Sequence, residues 1–236
     1  MAHPQRRAFA ALTVHRRHLI LTIATAPLLP SAQCWAADQT TSVAGIKEAL
    51  AVGTENAVKS LGRENGYFAN QAVKILLPSS VQKLADVARK AGFQQQVDEL
   101  ILTMNRAAEK AAPLAAAHFA NAIRSMGIQD VQAILKGGDT AATTFFQRKT
   151  RDPLFVAFKP SVSKTVEQAG ATRAYKGLME RVERLPLVGR QKFDLDDHVT
   201  DKALDGLFYM VGEEEKKIRR NPLARTSSVL KAVFGK

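Results

Sequence analysis

The chain is poor in the residues that most often carry covalent staples or nucleophilic chemistry. It has one cysteine, Cys34, one tryptophan, Trp35, and three tyrosines in 236 residues. No acidic residue precedes Asp38, whereas Arg6, Arg7, Arg16 and Arg17 do. The apolar run Leu19 to Leu29 (LILTIATAPLL) is too short to cross a bilayer. A basic region, a short apolar run and then small residues have the order of a secretory signal peptide, with residues 1–36 as the leader. A cut after Ala36 places Cys34 and Ala36 at the third and first positions before it. The mature protein then has no cysteine. Disulfides and thiol chemistry are excluded, although the periplasm to which the leader points permits disulfides. No lipid anchor is expected at Cys34, because Gln33 stands where such a site wants a small residue. The Arg16-Arg17 pair has the look of a twin-arginine signal, but His15 replaces the usual Ser or Thr.

Other motifs are missing too. GGDTAAT (137–143) lacks the spacing and the lysine of a phosphate loop and reads as a helix end followed by an Asp139 cap. There is no HExxH and no nucleophile elbow. His118 has no ligand partners at metal spacing. Asp194, Asp196, His198 and Asp205 occupy positions one, three, five and twelve of a calcium loop. Val199 stands where that loop needs glycine, and the apolar periodicity makes the segment helical. No metal, cofactor or catalytic residue is therefore assigned.

What remains is basic and helical. Removing residues 1–36 leaves 30 Lys+Arg against 22 Asp+Glu, with 19 against 12 of these in 148–236. For an exported chain this excludes nucleic acid. The basic surface is either simply solvated or meets a partner, and the partner it suits is an anionic membrane surface or another envelope protein. The oligomeric state is not fixed by the sequence. Apolar residues recur at three and four over 42–62, 79–92, 94–126 (with Pro113 inside), 128–135, 139–146, from Asp152-Pro153 through Phe158, and 175–185. Only 72–77 alternates like an extended strand. The expectation is a single all-α domain, residues 37–236, of eight to ten helices. At its centre lies a helix over 194–220, whose apolar positions cover more than half its circumference. Asp194 caps it, and Gly206 and Gly212 leave room for a close neighbour.

Six separated runs carry a resemblance: GIKEAL, LGRENGYF, MNRAAEKAAP, AILKGGDTAATTFF, DLDDHVTDKALDGLF and EEEKKIRRNPLARTSSVLKAVFG. In this order, over about residues 42–235, the chain resembles the domain-of-unknown-function family 4197. The resemblance implies an exported bacterial helical protein and carries no activity or catalytic residue with it. Asn105, Arg106, Glu109, Asp201, Lys202, Asp205, Glu214 and Arg219 fall inside these motifs.

The narrow polar strip of the 194–220 helix carries His198, Asp201, Lys202, Asp205 and Tyr209. A buried carboxylate needs a partner, and Arg106 is the expected one for Asp205. Two function classes follow. One is a non-enzymatic envelope binding or structural protein with a basic surface. The alternative is a hydrolase using carboxylates of the 194–220 helix. The same residues closed against one another favour the first. An open pocket among Arg106, Glu109, Asp201 and Asp205 favours the second.

Overall fold

The computed structural model describes residues 32–168, 175–177 and 194–220. The leader through residue 31, the remainder of the helix expected over 175–185, the basic loop at 189–192 and the tail from 221 lie outside the described residues.

Helix α1 spans Ala32–Gly62. It starts ten residues before the expected position because no proline interrupts 32–62. An irregular segment, 63–78, follows. Helix α2, Ser79–Ala88, is entered through Pro78 with no side-chain cap. Instead the Pro78 carbonyl accepts from the Val81 and Gln82 amides. A π-turn over Arg89–Phe93 contains Gly92 at φ 91°, where the helix path breaks as expected. Helix α3, Gln94–Ala111, passes through a 3-10 turn, Ala112–Leu114, into helix α4, Ala115–Ser125. Pro113 sits in that turn, so the proline bends the rod instead of ending it.

Helix α5, Ile128–Lys136, starts with the Gly127 amide donating to Asp130. Helix α6 runs unbroken over Ala141–Gln168 with Pro153 and Pro160 inside it. The sequence pattern divided this segment at Asp152-Pro153. It stays whole because both prolines lie on the exposed side, where water can take the carbonyls they leave unpaired. Helix α7, Leu195–Arg220, opens with the Asp197 amide donating to the Asp194 carboxylate at 2.9 Å. With Gln94–Ser125 counted as one bent rod, the described residues form six helices, not eight to ten. The class is all-α, and no strand is present among the described residues.

The expected central position of α7 holds. It packs against α6, α1 and α3. Leu195, Val199, Ala203, Leu204, Leu207, Phe208 and Val211 all belong to one continuous core with residues of α1 through α6. Phe119 of α4 meets Phe146 of α6 and Phe208 of α7 edge-on, at 5.5 and 6.1 Å between ring centres. Such edge-on pairs add to the burial of the rings themselves. Gly53 lets α1 approach α7 closely, because a Cβ there would lie against Glu214 Cβ and Ile218 of α7.

Candidate functional site

The singled-out polar residues form two buried clamps and one surface strip. The first clamp holds the irregular segment 63–78 against α3. Asn65 takes φ 64°, and a Cβ on Gly66 would lie 2.5 Å from the Leu61 and Ser60 carbonyl oxygens, so this turn requires glycine. The turn points the amides of Tyr67 and Phe68 at one oxygen of Glu109, at 3.0 and 3.1 Å. Arg106, one turn earlier on α3, donates to the other Glu109 oxygen at 2.5 Å. It also reaches Glu64 at 3.1 Å and the Asn65 side chain at 3.0 Å. Glu109 is only 4% exposed, so its charge is matched by an arginine and two amides rather than by water.

Asn105 completes this clamp. Its carboxamide accepts from the Ile75 amide and donates to the Ile75 carbonyl, both at 2.8 Å. The side chain thus takes the place of a neighbouring strand for the extended residues 74–78. Val73, Ile75 and Leu77 point inward and Leu76 outward, which matches the expected alternation without a sheet. The segment also docks on α7. The Tyr67 hydroxyl donates to the Ala203 carbonyl at 2.7 Å, and the His198 ring donates from Nε2 to the Leu76 carbonyl at 2.9 Å. Burial, with the Glu109 charge adding to it, pushes the Tyr67 phenol well above its ordinary pKa. Burial holds His198 below 6.5 and outweighs the opposing Leu76 hydrogen bond. A Cβ on Gly206 would come within 2.7 Å of the Tyr67 ring, so Gly206 is the close-approach glycine that the pattern anticipated.

The second clamp joins α7 to the start of α6. Glu215 accepts from the amides of Ala142 and Thr143 at 3.0 and 2.9 Å and from the Thr143 hydroxyl at 2.8 Å. It caps α6 from across the fold. Arg219 donates to Glu215 at 3.0 Å and to the Ile134 carbonyl at 2.9 Å. Asp139, the cap expected from the sequence, pairs with Arg220 instead. Glu214 lies beside this clamp and accepts from Asn56 of α1 at 3.0 Å.

The strip of α7 does not face another helix as expected. Asp201 is 53% and Asp205 44% exposed. The reason lies in α6 and the 72–75 segment, which press on the two flanks of α7 and leave the strip between them open. Arg106 belongs wholly to the first clamp and is not the partner of Asp205. That partner is Arg151 of α6, at 2.9 Å from Asp205 and 3.2 Å from Asp201. Lys202 also meets Asp205, at 2.9 Å. Partial burial works to raise the Asp205 pKa, but the Lys202 and Arg151 hydrogen bonds outweigh it and hold this carboxylate below its usual range. Lys202, Asp205, Gly206 and Tyr209 line a groove of about 270 Å³ together with residues 72–75.

The structure thus places Asn105, Arg106 and Glu109 in one cluster, His198, Asp201, Lys202 and Asp205 along another, and Glu214 and Arg219 at a third, whereas the sequence reading joined Arg106 and Glu109 to Asp201 and Asp205. The sequence reading did not single out Tyr67, Arg151 or Glu215. Glu215 was findable, because with Val211 and Ile218 it repeats at four and three on the buried face of α7. Among the described residues no group of His, Cys, Asp and Glu is arranged to hold a metal ion. No described helix is long and apolar enough to cross a membrane.

Fold and site together define an all-α protein whose buried carboxylates serve as caps for its own backbone. The chain belongs to the family described as protein of unknown function, DUF4197, whose model matches residues 36–235. No curated protein and no solved structure matches the chain.

Proposed function

We propose that this protein is a non-enzymatic binding protein of the bacterial envelope whose basic surface meets an anionic lipid surface. One observation carries the reading. The two buried acids inside the family motifs are closed against the chain's own groups, with Glu109 on two amides and Arg106, and Glu215 on two amides, a hydroxyl and Arg219. A general acid or base must reach a substrate proton, and these cannot without unfolding a turn or a helix start. Asp205 borders an open groove. It is held ionised between two cations, which suits a structural ion pair better than hydrolysis. The family match beginning at residue 36 agrees with a leader that ends there. The excess of 19 basic over 12 acidic residues in 148–236 supplies the attraction to anionic headgroups.

Co-sedimentation of the mature protein with vesicles tests this. Vesicles containing anionic phosphatidylglycerol should bring down more protein than neutral phosphatidylcholine ones at low salt, and the difference should vanish at high salt. Equal recovery on both vesicle types overturns the lipid reading.

A further inference from the structure

We infer that the groove between residues 72–75 and α7 is a docking notch for an extended peptide segment that carries an acidic side chain next to an apolar one. Backbone groups carry the inference. In an extended chain successive residues turn their N–H and C=O groups to opposite edges. The Ile75 groups go to Asn105 on α3, at 2.8 Å each. The Leu76 carbonyl goes to His198 on α7, at 2.9 Å. The second edge therefore faces α7. On that edge the Lys74 carbonyl and the Leu76 amide have no hydrogen-bond partner among the described residues. A single residue of a parallel strand bonds such a pair, its N–H to the first residue's carbonyl and its C=O to the amide two residues on. The His198 ring occupies the next acceptor, which limits pairing to that one residue.

The side chains around the notch specify the ligand. Asp205 is already matched by Arg151 and Lys202. The Lys74 ammonium lies 4.2 Å from the centre of the Phe68 ring and has no carboxylate partner among the described residues, so the uncompensated local charge is positive. An acidic side chain complements it. Tyr209 and Leu76, both large and exposed, give an apolar neighbour something to pack on. The groove's volume of about 270 Å³ falls short of sites that enclose a small molecule, ~300–1,000 Å³, and suits a run of chain passing through. Pairing by main chain with side-chain pockets for specificity is how strand-adding domains bind peptides. This face and its ligand are independent of the lipid reading, and the test below contains no lipid, so the two fail separately.

The test is selection of random heptapeptides displayed on phage against the full mature chain, followed by anisotropy titration of the best synthetic peptide. Asp or Glu beside Phe, Tyr or Leu should be enriched. Lys74→Glu and Tyr209→Ala should each weaken binding about tenfold or more, while Lys83→Glu on an exposed turn of α2 should not. Methylating the peptide's central backbone nitrogen should weaken it about as much, because it removes one bond of the main-chain pair. Circular dichroism confirms that the variants are folded, as expected for residues outside the core. Failure to enrich any sequence overturns the proposal. So does a peptide whose affinity survives the methylation, or both substitutions at the notch.

Discussion

Glu109→Ala is the most informative single change. The carboxylate is 4% exposed and its partners are fixed: the Tyr67 amide at 3.0 Å, the Phe68 amide at 3.1 Å and Arg106 at 2.5 Å. Truncation leaves the buried Tyr67 amide without an acceptor, at a cost of ~1–3 kcal/mol. The Phe68 amide is half-buried and adds less. Arg106 loses its closest acceptor but keeps Glu64 and Asn65 near the surface, so its stranding is incomplete. The sum is about 3–5 kcal/mol, the usual loss when one member of a buried pair is removed. In a domain of this size that corresponds to a fall in melting temperature of roughly 6–20 °C. Glu109→Gln keeps an acceptor for both amides and loses the charge facing Arg106, so it should cost roughly half as much. Glu64→Ala removes an exposed partner of the same arginine and should cost under ~0.5 kcal/mol. Urea denaturation followed by far-UV circular dichroism measures all three. A Glu109→Ala protein within about 0.5 kcal/mol of the parent refutes the clamp, since that is the spread of ordinary surface substitutions.

Four further outcomes are expected. Gly206→Ala should destabilise by about 1–3 kcal/mol, because its methyl group meets the buried Tyr67 ring at 2.7 Å, and Tyr67→Phe combined with it should restore little. A double-mutant cycle on Asp205 and Arg151 should give a coupling of about 0–1 kcal/mol, as for exposed pairs, and one on Asp205 and Arg106 should give none. His198 titrates lower in the folded protein than in the unfolded chain, whose histidine binds its proton near 6.5. The unfolded state therefore binds more protons in this range. The contribution of His198 is complete above pH 6.5 and fades as pH falls through the folded value, so His198→Gln should flatten the slope of stability against pH in mildly acidic buffer. Intact-mass measurement of protein purified from its host should show loss of residues 1–36, and a mass that retains them counts against export.

Residue types with periodic burial were legible from sequence, and residues fixed by long-range geometry were not. Val199, Ala203, Leu204 and Leu207 announced the buried side of α7 through spacing alone. Val73, Ile75 and Leu77 announced an extended segment. That alternation says which way side chains point but nothing about what pairs the backbone, so Asn105 could be marked as notable without its task being foreseen. The α6 prolines misled because proline's effect depends on whether the carbonyl it orphans can reach water. Pro153 and Pro160 are exposed, and exposure is a property of the assembled fold. The pairing of Asp205 failed for a similar reason. Arg106 and Arg151 are equivalent in sequence terms, and only the antiparallel course of α6 along α7 brings Arg151 opposite. Asp139 looked like a cap because it precedes α6, yet a carboxylate 73 residues downstream of Ala142 holds that position.

This last arrangement sets the order in which the chain can complete itself. Helix α6 receives its cap only when Glu215 arrives, 72 residues after Thr143. The turn at 63–68 is likewise finished by Glu109, 42 residues after Tyr67, and docked by Ala203, 136 residues after it. A ribosome releasing this polypeptide therefore emits helices whose starts are still bare. Closure comes in one late step, when α7 is threaded between partners made long before. Truncation ahead of α7 removes both the helix that closes that assembly and the cap on the start of α6. Fragments lacking α7 should behave as loose helical ensembles, with far-UV helicity but no cooperative melting.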